Sequence, residues 1–340
     1  MSHKRAFEAL NATLQDIRNS QDLMGGLVVL LSGDFRQTLP VIQRGTPADE
    51  INSCLKKSVL WSHIEQYHLV QNMRVSLHND CDARQFSGDL LKIGEGRMKT
   101  DQHKMISFPE NFGHMVASAE ELIASVFPDL QNNHYDPEWL SCRAILAPKN
   151  DDVNKINSKI MNIIHGEVKS YLSIDSITEE EQALHYPVEF LNTLELPGIP
   201  PHKLELQLGI PVILLRNLEP PRLCNGTRLL ITSLKENVIE AKILTGSAKG
   251  EEVLIPRIPI TTANLPFNFK RLQFPLKVAF SMTINKAQGQ TLQVAGLYLE
   301  TQCFSHGQLY VACSRVSSGK NLYIFTKDRK AVNIVYKSVL

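Results

Sequence analysis

Polar side chains that could bind a ligand are concentrated between residues 281 and 315. A strand-like run from Leu276 to Phe280 leads into the polar sequence SMTINKAQGQT, and a second run, from Val294 to Leu299, leads to HGQLYVACSRV. Ligands bind at the strand ends of α/β sheets, and polar residues at this density are not typical of a packed core. The stretch therefore predicts a ligand site. Its candidate residues are Thr283, Lys286, Gln288, Gln290, Thr291 and Arg315.

A second group of polar side chains follows an earlier apolar run. Leu27 to Leu31 are five consecutive apolar residues, which predicts a strand buried on both faces of a parallel sheet. The sequence SGDFRQTLPV follows, so Asp34, Arg36 and Gln37 are expected at the carboxyl edge of that sheet, where side chains reach a bound ligand. From these three residues alone, a capped turn with solvated charges is an equal alternative.

The elements that would position these groups alternate between helix and strand. Apolar residues recur at helical spacing from Lys4 to Arg18. Further helices are predicted at residues 48–61, 80–93 and 151–164, and compact strands at 144–147 and 322–325. The repeated order of strand, polar turn and helix predicts an α/β fold.

The α/β pattern is interrupted in the middle of the chain. Seven prolines fall between residues 187 and 221, and short β-rich runs lie among and after them. Short strands punctuated by glycine and proline predict a small β-barrel or β-rich insertion from about Val188 to Leu265. The α/β pattern resumes at Leu276.

Composition narrows the class of protein. The 340 residues carry a formal net charge of +1, which excludes a strongly basic protein that coats nucleic acid, so phosphate contacts need a local cluster of Lys and Arg. Six cysteines without a C-x-x-C pair signal neither a zinc site nor a disulfide framework, and predict a reducing compartment. Apolar runs stay well short of the roughly 20 residues of a membrane span, and no signal peptide is recognised. We expect a soluble protein.

Four stretches, in this order along the chain, resemble motifs of one known family. SGDFRQTLPV, QNMRV, SMTINKAQGQT and QLYVACSRV resemble motifs III to VI of superfamily 1B DNA helicases of the petite-integration-frequency (Pif) branch. The sequence from Leu196 to Ile231 resembles more specifically the versions carried by Helitron transposons. The resemblance covers nearly the whole chain.

The resemblance implies two RecA-like domains, each a parallel sheet with flanking helices. Residues 1–66 would be the remnant of a truncated first domain, and residues 67–187 and 266–340 would form the second. Residues 188–265 would be a β-barrel inserted into the second domain, resembling the 2B domain that guides a DNA strand.

The resemblance also implies a nucleotide site. In this family the two RecA-like domains hold ATP with Mg²⁺ and step along single-stranded DNA in the 5′ to 3′ direction. Gln37 would sense the γ-phosphate, and Arg74 and Arg315 would reach the phosphates from the second domain, because phosphoryl transfer needs charge stabilisation on the γ-oxygens. The nucleotide site would also include Asp34, Gly289 and Gln290.

Contacts to DNA are implied for the turn that follows Ser281. Thr283, Lys286 and Gln288 match the motif that links the nucleotide site to the DNA backbone, where Thr and Lys donate to phosphate oxygens. The polar candidates on the insertion are His202, Lys203, Arg216, Asn217, Asn225 and Arg228. For each of these six, a solvated surface position is the simpler interpretation.

Two motifs of the family are absent from the sequence. These are the P-loop, G-x-x-x-x-G-K-[ST], and the Asp-Glu pair that holds magnesium and the attacking water. Related sequences carry the Asp-Glu pair a few residues before a stretch like MSHKRAFEAL, so we expect the chain to lack the front half of the first domain. No metal ligands are predicted in this chain.

Two functions stay open. The first is an ATP-dependent DNA helicase by family, of which the isolated chain neither hydrolyses ATP nor unwinds DNA. The alternative is a non-enzymatic remnant of a transposon helicase that binds single-stranded DNA. An unrelated metabolic α/β enzyme would need a fingerprint such as G-x-G-x-x-G after a strand, which the sequence lacks.

We further expect the protein to be a monomer in the nucleus or, alternatively, in the mitochondrion. We also expect poor solubility, because the strand Leu27 to Leu31 would lack flanking strands.

Overall fold

The computed structural model describes residues 2–42, 45–70, 81–103, 105–177, 186–262 and 265–340. Nine α-helices lie in these ranges: α1 Lys4–Arg18, α2 Pro47–Ser53, α3 Cys81–Gly94, α4 Ala119–Val126, α5 Leu130–Asn133, α6 Pro137–Ser141, α7 Asn150–Ile163, α8 Val188–Thr193 and α9 Gln308–Cys313. Short 3₁₀ turns occupy Leu23–Gly26, Leu55–Lys57, Val59–His63, Gly319–Asn321 and Lys327–Arg329.

Seventeen β-strands lie in the same ranges. They are β1 Met105–Ser107, β2 His114–Val116, β3 Arg143–Ala147, β4 Lys169–Leu172, β5 Ile174–Ile177, β6 Lys203–Leu206, β7 Pro211–Leu214, β8 Arg228–Leu234, β9 Val238–Ile243, β10 Glu252–Pro256, β11 Ile258–Thr262, β12 Phe269–Gln273, β13 Leu276–Val278, β14 Ser281–Thr283, β15 Val294–Leu299, β16 Leu322–Thr326 and β17 Lys330–Val332.

The chain folds into two compact units. The first unit comprises Met1–Leu122, Leu146–Lys149 and Thr283–Leu340, and the second comprises Ile123–Ile145 and Asn150–Met282. The domain boundaries inferred from the sequence, at residues 66, 187 and 265, stay a prediction.

A five-stranded sheet carries the predicted ligand-binding segments. Its strand order is β14-β3-β15-β16-β2, and β16 pairs in parallel with both β15 and β2. Five of the six residues of β15 are buried, as expected of a parallel strand covered on both faces. Helix α9, also largely buried, packs against α3 in the first unit. The parallel pairing and flanking helices confirm the predicted α/β fold.

The second unit is rich in antiparallel strands. Its larger sheet has the order β10-β9-β8-β7-β13, and its smaller sheets are β11-β12-β5 and β4-β6. Residues alternate between buried and exposed along β10, because one face of that strand packs on the core and the other meets solvent. These short strands confirm that the proline-rich middle of the chain is predominantly β.

Arg271 forms a fully buried ion pair in the second unit. Its Nε and Nη2 atoms donate to the two carboxylate oxygens of Asp175 at 2.8 and 2.6 Å, and both side chains have no exposed surface. The two residues are direct partners across the β12–β5 ladder. The same guanidinium donates to the backbone oxygens of Leu191, Leu194 and Pro200. The ion pair therefore joins α8 and its following loop to the three-stranded sheet.

Arg228 is also fully buried, and this corrects an expectation from the sequence. It is one of the polar candidates proposed for the insertion surface, yet its guanidinium donates to the backbone oxygens of Leu140, Ser141 and Arg143 at 3.0 to 3.2 Å. Burial lowers the pKa of Arg228 to about 10. Its side chain thus holds the start of β8 to the end of α6 and the start of β3, and is not available to DNA.

The strand predicted from Leu27 to Leu31 does not form. Val28 is 101% and Leu30 91% exposed, and no strand in the described part of the chain pairs with this run. A strand exists only through hydrogen bonds to neighbours, so apolar sequence alone did not suffice.

The helix predicted at residues 48–61 is shorter than expected. Helix α2 ends at Ser53, because Cys54 adopts an extended backbone with φ −65° and ψ 145°. Cys54 is fully buried in a cluster with Leu39 and Val339. Packing of Cys54 in this cluster outweighs the helical periodicity beyond it.

Among the helices in the described ranges, none has the length and apolar character needed to cross a membrane.

Candidate functional site

Gly307 brings the start of α9 against the GDFRQ segment. Its backbone φ of +68° favours glycine, and a Cβ atom there would lie 2.2 Å from the backbone oxygen of Arg36. The residue before it, His306, donates from Nε2 to the backbone oxygen of Phe35 at 2.8 Å. Nδ1 of His306 accepts from the backbone N–H of Tyr336 at 2.9 Å. The imidazole is therefore neutral, and burial lowers its pKa.

Asp34 is held on both carboxylate oxygens. Nε of Arg36 donates to Oδ1 at 2.8 Å, and the hydroxyl of Tyr310 donates to Oδ2 at 3.0 Å. Arg36 also lies 3.4 Å from a carboxylate oxygen of Glu95, just after α3. Burial, followed by the charge of Asp34, raises the pKa of Tyr310 to about 12, so the phenol remains a donor. Asp34 thus orders this loop through contacts within the protein.

Gln288 connects two of the predicted functional segments. Its Nε2 donates to Oε1 of Gln37 at 2.8 Å, and its Oε1 accepts from the Thr38 hydroxyl at 3.1 Å. The residue expected at the γ-phosphate and a residue expected at DNA are therefore hydrogen-bonded, although 251 positions separate them in sequence. Both ends of the Gln288 amide are engaged by the GDFRQT segment.

The turn after β14 folds back on the end of that strand. The backbone N–H groups of Lys286 and Ala287 donate to the backbone oxygen of Thr283 at 2.9 and 3.2 Å. Gly289 has a φ of +81°, which permits the turn to reverse. Two buried oxygens, Oδ1 of Asn285 and Oε1 of Gln290, accept no hydrogen bond from the described residues. These unsatisfied acceptors mark a position where a ligand could donate.

Arg315 fastens this turn to α9. The side chain is nearly buried, at 7% exposure, and Nη1 donates to the backbone oxygens of Ala287 and Gln290 at 3.1 and 2.9 Å. Nε donates to the backbone oxygen of Val311, and Nη2 to the Ser314 hydroxyl, both at 2.8 Å. The guanidinium has to leave some of these oxygens before it can reach a phosphate, so its proposed role as an arginine finger stays a prediction.

The predicted site residues divide into three groups. The largest group lies in or contacts the turn that follows β14, and its members are Gln37, Thr283, Lys286, Gln288, Gly289, Gln290 and Arg315. Asp34 faces α9 instead, where it meets Tyr310. Arg74 lies outside the described residues.

Sequence reasoning missed several residues that build the site. Thr38, His306 and Tyr310 lie within the quoted motifs and could have been singled out there. Glu95 lies in none of these motifs, and only the fold brings it, just after α3, close to Arg36.

The residues present do not complete a site for ATP with Mg²⁺. In the described part of the chain, no group of three or more His, Cys, Asp or Glu side chains could hold a metal ion. The sequence also lacks the Gly-Lys-Ser/Thr of a P-loop, whose backbone N–H groups cradle the phosphates. What the chain supplies is the segment expected at the γ-phosphate, hydrogen-bonded to the turn expected at DNA.

Two protein-family models match the chain. The model for PIF1-like helicase matches residues 1–104, and the model for the 2B domain of DNA helicase Pif1 matches residues 189–234.

Curated relatives align with nearly the whole chain. The ATP-dependent DNA helicase Pif1 of Bdellovibrio bacteriovorus is 32% identical over 333 residues, which are 96% of this chain and 64% of the relative. The ATP-dependent DNA helicase PIF1 of Danio rerio is 25% identical over 330 residues, which are 96% of this chain and 45% of the relative. The chain therefore spans less than half the length of the Danio rerio protein.

Solved structures show the same fold. Pif1 helicase from Candida albicans matches with a TM-score of 0.65 at 22% identity, over 100% of this chain and 73% of that one. Pif1 helicase from Bacteroides, in complex with ADP-AlF3 and single-stranded DNA, matches with a TM-score of 0.63 at 19% identity, over 99% and 70% of the two chains. These structures show the shared fold, and the family models and the relatives assign the chain to the Pif1-type branch of the superfamily 1B helicases.

Proposed function

We propose that this chain is the part of an ATP-dependent 5′ to 3′ DNA helicase that engages single-stranded DNA and senses the nucleotide. The observation that carries the proposal is the hydrogen bond between Gln288 and Gln37. Gln37 belongs to the segment expected at the γ-phosphate, and Gln288 follows Thr283 and Lys286 in the segment expected at the DNA backbone. A direct bond between them is a short path by which nucleotide state alters DNA contacts.

The coupling follows from the donors and acceptors of the two glutamines. Gln37 has its Oε1 atom engaged by Gln288, which in turn accepts from Thr38. If Gln37 turns toward a phosphate, Gln288 loses an acceptor, and the turn that carries Lys286 loses one of its anchors. Gln288 is half-buried, so loss of this hydrogen bond costs about 0.5–1.5 kcal/mol, which is enough to shift the conformation of a turn.

Hydrolysis of ATP is not proposed for the isolated chain. Phosphoryl transfer in this enzyme class depends on the P-loop and on metal-bound phosphate oxygens, and the sequence supplies neither the P-loop nor the Asp-Glu pair. The isolated chain therefore acts as a module that binds single-stranded DNA without turnover.

Fluorescence anisotropy with labelled oligothymidine tests this function. We expect binding that weakens as salt rises, because Lys286 displaces counterions from the phosphates. The Lys286→Ala variant should bind more weakly and show a smaller salt slope. The matched control is Lys99→Ala, which removes an exposed lysine of the same unit that lies outside the motifs.

Two results would contradict the proposal. Absence of binding even at low salt would remove the DNA-engaging role. DNA-stimulated ATP hydrolysis by the purified chain, abolished by Arg315→Ala, would show that the isolated chain is a complete motor.

The biological setting we propose is Helitron transposition in the nucleus. Support comes from the resemblance of Leu196–Ile231 to the helicases of such transposons. Genome maintenance, including repair and recombination, is the other setting that suits a Pif1-type helicase. Binding preference for transposon-end DNA over a scrambled oligonucleotide of equal length would favour transposition, and equal affinity would argue against it.

A further inference from the structure

A groove of about 830 Å³ lies in the first unit and shares none of its lining residues with the candidate functional site. One wall is a face of α3 that includes Asp82, Phe86 and Asp89. The segment from Ser107 to Met115, which leads from β1 into β2, also lines the groove. Its volume is within the range of pockets that bind small ligands or short peptide segments.

The lining of the groove includes residues beyond both ends of β16. Its lining includes Lys320, just before that strand, and Asp328 and Arg329, just after it. A five-residue strand with a rise of about 3.3 Å per residue measures roughly 16 Å. The groove therefore has room for an extended peptide of about five residues.

The edge of the parallel sheet borders this groove. Strand β2 is the last in the strand order, and its pairing in the described part of the chain is with β16 alone. His114 and Met115 of β2 line the groove. An edge strand presents unpaired backbone N–H and C=O groups, to which an extended peptide adds as a further strand.

Aromatic side chains give the groove an apolar floor. The rings of Phe86 and Phe112 have centroids 4.9 Å apart, and those of Phe108 and Phe112 are stacked at 5.6 Å. Phe112 is buried, whereas Phe108 remains half-buried and offers part of its ring to an occupant. Aromatic surfaces of this kind anchor apolar side chains at peptide-binding sites.

The lining of the groove carries an excess of negative charge. Its carboxylates are Asp82, Asp89, Glu110 and Asp328, against the cations Lys320 and Arg329. Lys320 already pairs with Asp82 at 2.8 Å, and Lys92 pairs with Asp89 at 2.7 Å. Glu110 and Asp328 are exposed and have no ion-pair partner within 4.0 Å among the described residues. These two carboxylates disfavour a nucleic-acid phosphate and favour a cation.

We propose that this groove binds an extended basic segment of a partner protein. The segment adds to the free edge of β2, places an apolar side chain on Phe108, and directs Arg or Lys side chains to Glu110 and Asp328. This inference goes beyond the DNA-engaging role, because the groove uses different residues and takes a ligand of opposite charge.

The test uses the full chain and two labelled five-residue peptides. One alternates arginine with leucine, and the other has glutamate in place of each arginine. Fluorescence anisotropy should show saturable binding of the basic peptide and binding at least about tenfold weaker for the acidic one. The Glu110→Lys/Asp328→Lys variant should lose about tenfold in affinity for the basic peptide. A second variant, Phe108→Ala, should weaken binding of the basic peptide, because it removes the exposed aromatic surface and leaves the carboxylates of Glu110 and Asp328 in place.

The matched control is Glu236→Lys/Glu252→Lys, which makes the same charge change at exposed positions of the second unit and should bind as the wild type does. Thermal melting of each variant separates lost binding from lost folding. Equal affinity for the two peptides, or equal affinity of wild type and both groove variants, would overturn the proposal. So would groove variants that alter oligothymidine binding and leave peptide binding unchanged.

Discussion

Gly307 sets how closely α9 approaches the GDFRQ segment. No other residue type fits there without strain, because the backbone lies in the left-handed region and the Arg36 carbonyl occupies the place of a side chain. The contacts of His306 and Tyr310 depend on this approach, since both residues are within three positions of the glycine. Gly307 therefore determines whether the start of α9 lies close enough to the GDFRQ segment for hydrogen bonds to form between them.

Gly307→Ala should destabilise the protein by about 2 kcal/mol or more, from left-handed strain of about 1–2 kcal/mol and from overpacking against Arg36. Urea unfolding at neutral pH measures this difference. The matched control is Gly289→Ala, which has a similar φ of +81° but no atom within 4 Å of the added Cβ. Equal losses for both variants would show that the contact with Arg36 has no energetic role.

His306 predicts a loss of stability in mild acid. Burial holds its folded-state pKa below the ordinary value of 6.5, despite the backbone oxygen of Phe35 and the nearby charge of Asp34, which act in the opposite direction. The unfolded chain therefore binds the proton more tightly. Stability contributed by the neutral imidazole is complete above about pH 6.5 and falls as the pH drops below it.

Urea midpoints at pH 7.5 and pH 5.5, about one unit on either side of that pKa, measure this effect. The wild type should lose more stability between these values than His306→Asn does. His103→Asn, which changes an exposed histidine, should retain the wild-type pH dependence. A His306→Asn variant with the full wild-type loss would exclude His306 as the cause.

At the scale of elements, buried arginines join pieces of chain that the sequence does not connect. Arg271 and Asp175 link neighbouring strands β12 and β5, and the same guanidinium holds the backbone at α8. Arg228 does the same for β8, α6 and β3 without any carboxylate. Arginine suits this task because its planar fork of donors can satisfy several carbonyl oxygens at once.

Arg271→Met should cost about 3–5 kcal/mol, because it leaves the Asp175 carboxylate buried without a cation. The double variant Arg271→Met/Asp175→Leu should be less destabilised than the single one, since no buried charge remains. Thermal unfolding compares the two. Lys270→Met, at the neighbouring exposed position of β12, is the control and should stay near the wild type. A double variant less stable than the single variant would contradict this account.

Elements that depend on local pattern could be predicted from the sequence, whereas those that depend on distant partners could not. Helix α1 has the predicted bounds of Lys4–Arg18, because its apolar residues repeat at helical spacing. The run Leu27–Leu31 has the composition of a strand, but pairing requires neighbours that composition does not reveal. Arg228 looked like a surface residue for the same reason, since its acceptors lie more than 50 positions away.

The sequence was sufficient to predict which motifs form the candidate site, but not which hydrogen bonds connect their residues. Gln37, Gln288 and Arg315 were all identified from motif sequences, yet the bond between the two glutamines depends on a three-dimensional approach. The carbonyl partners of Arg315 likewise follow from how the turn after β14 folds.

At the scale of the whole molecule, the exposed apolar run should govern self-association. Val28 and Leu30 lie almost fully in solvent, and a surface of this kind promotes aggregation. The Val28→Lys/Leu30→Lys variant loses little packing and gains charge, so it should elute as a larger monomeric fraction than the wild type at equal concentration. Size-exclusion chromatography with light scattering measures that fraction.

The control for this prediction is Val41→Lys/Val59→Lys. These two valines are 70% and 77% exposed, but they lie outside the continuous apolar run. Equal improvement in both double variants would mean that added charge alone, and not the apolar run, controls association.

The division of the chain into units has a topological consequence. The polypeptide passes from one unit to the other after Leu122, Ile145, Lys149 and Met282, and two of these passages occur inside strands β3 and β14. Neither unit is a single continuous segment, so cutting one peptide bond cannot release either of them intact. A protease that nicks one surface loop should therefore leave fragments that remain associated until denaturant is added.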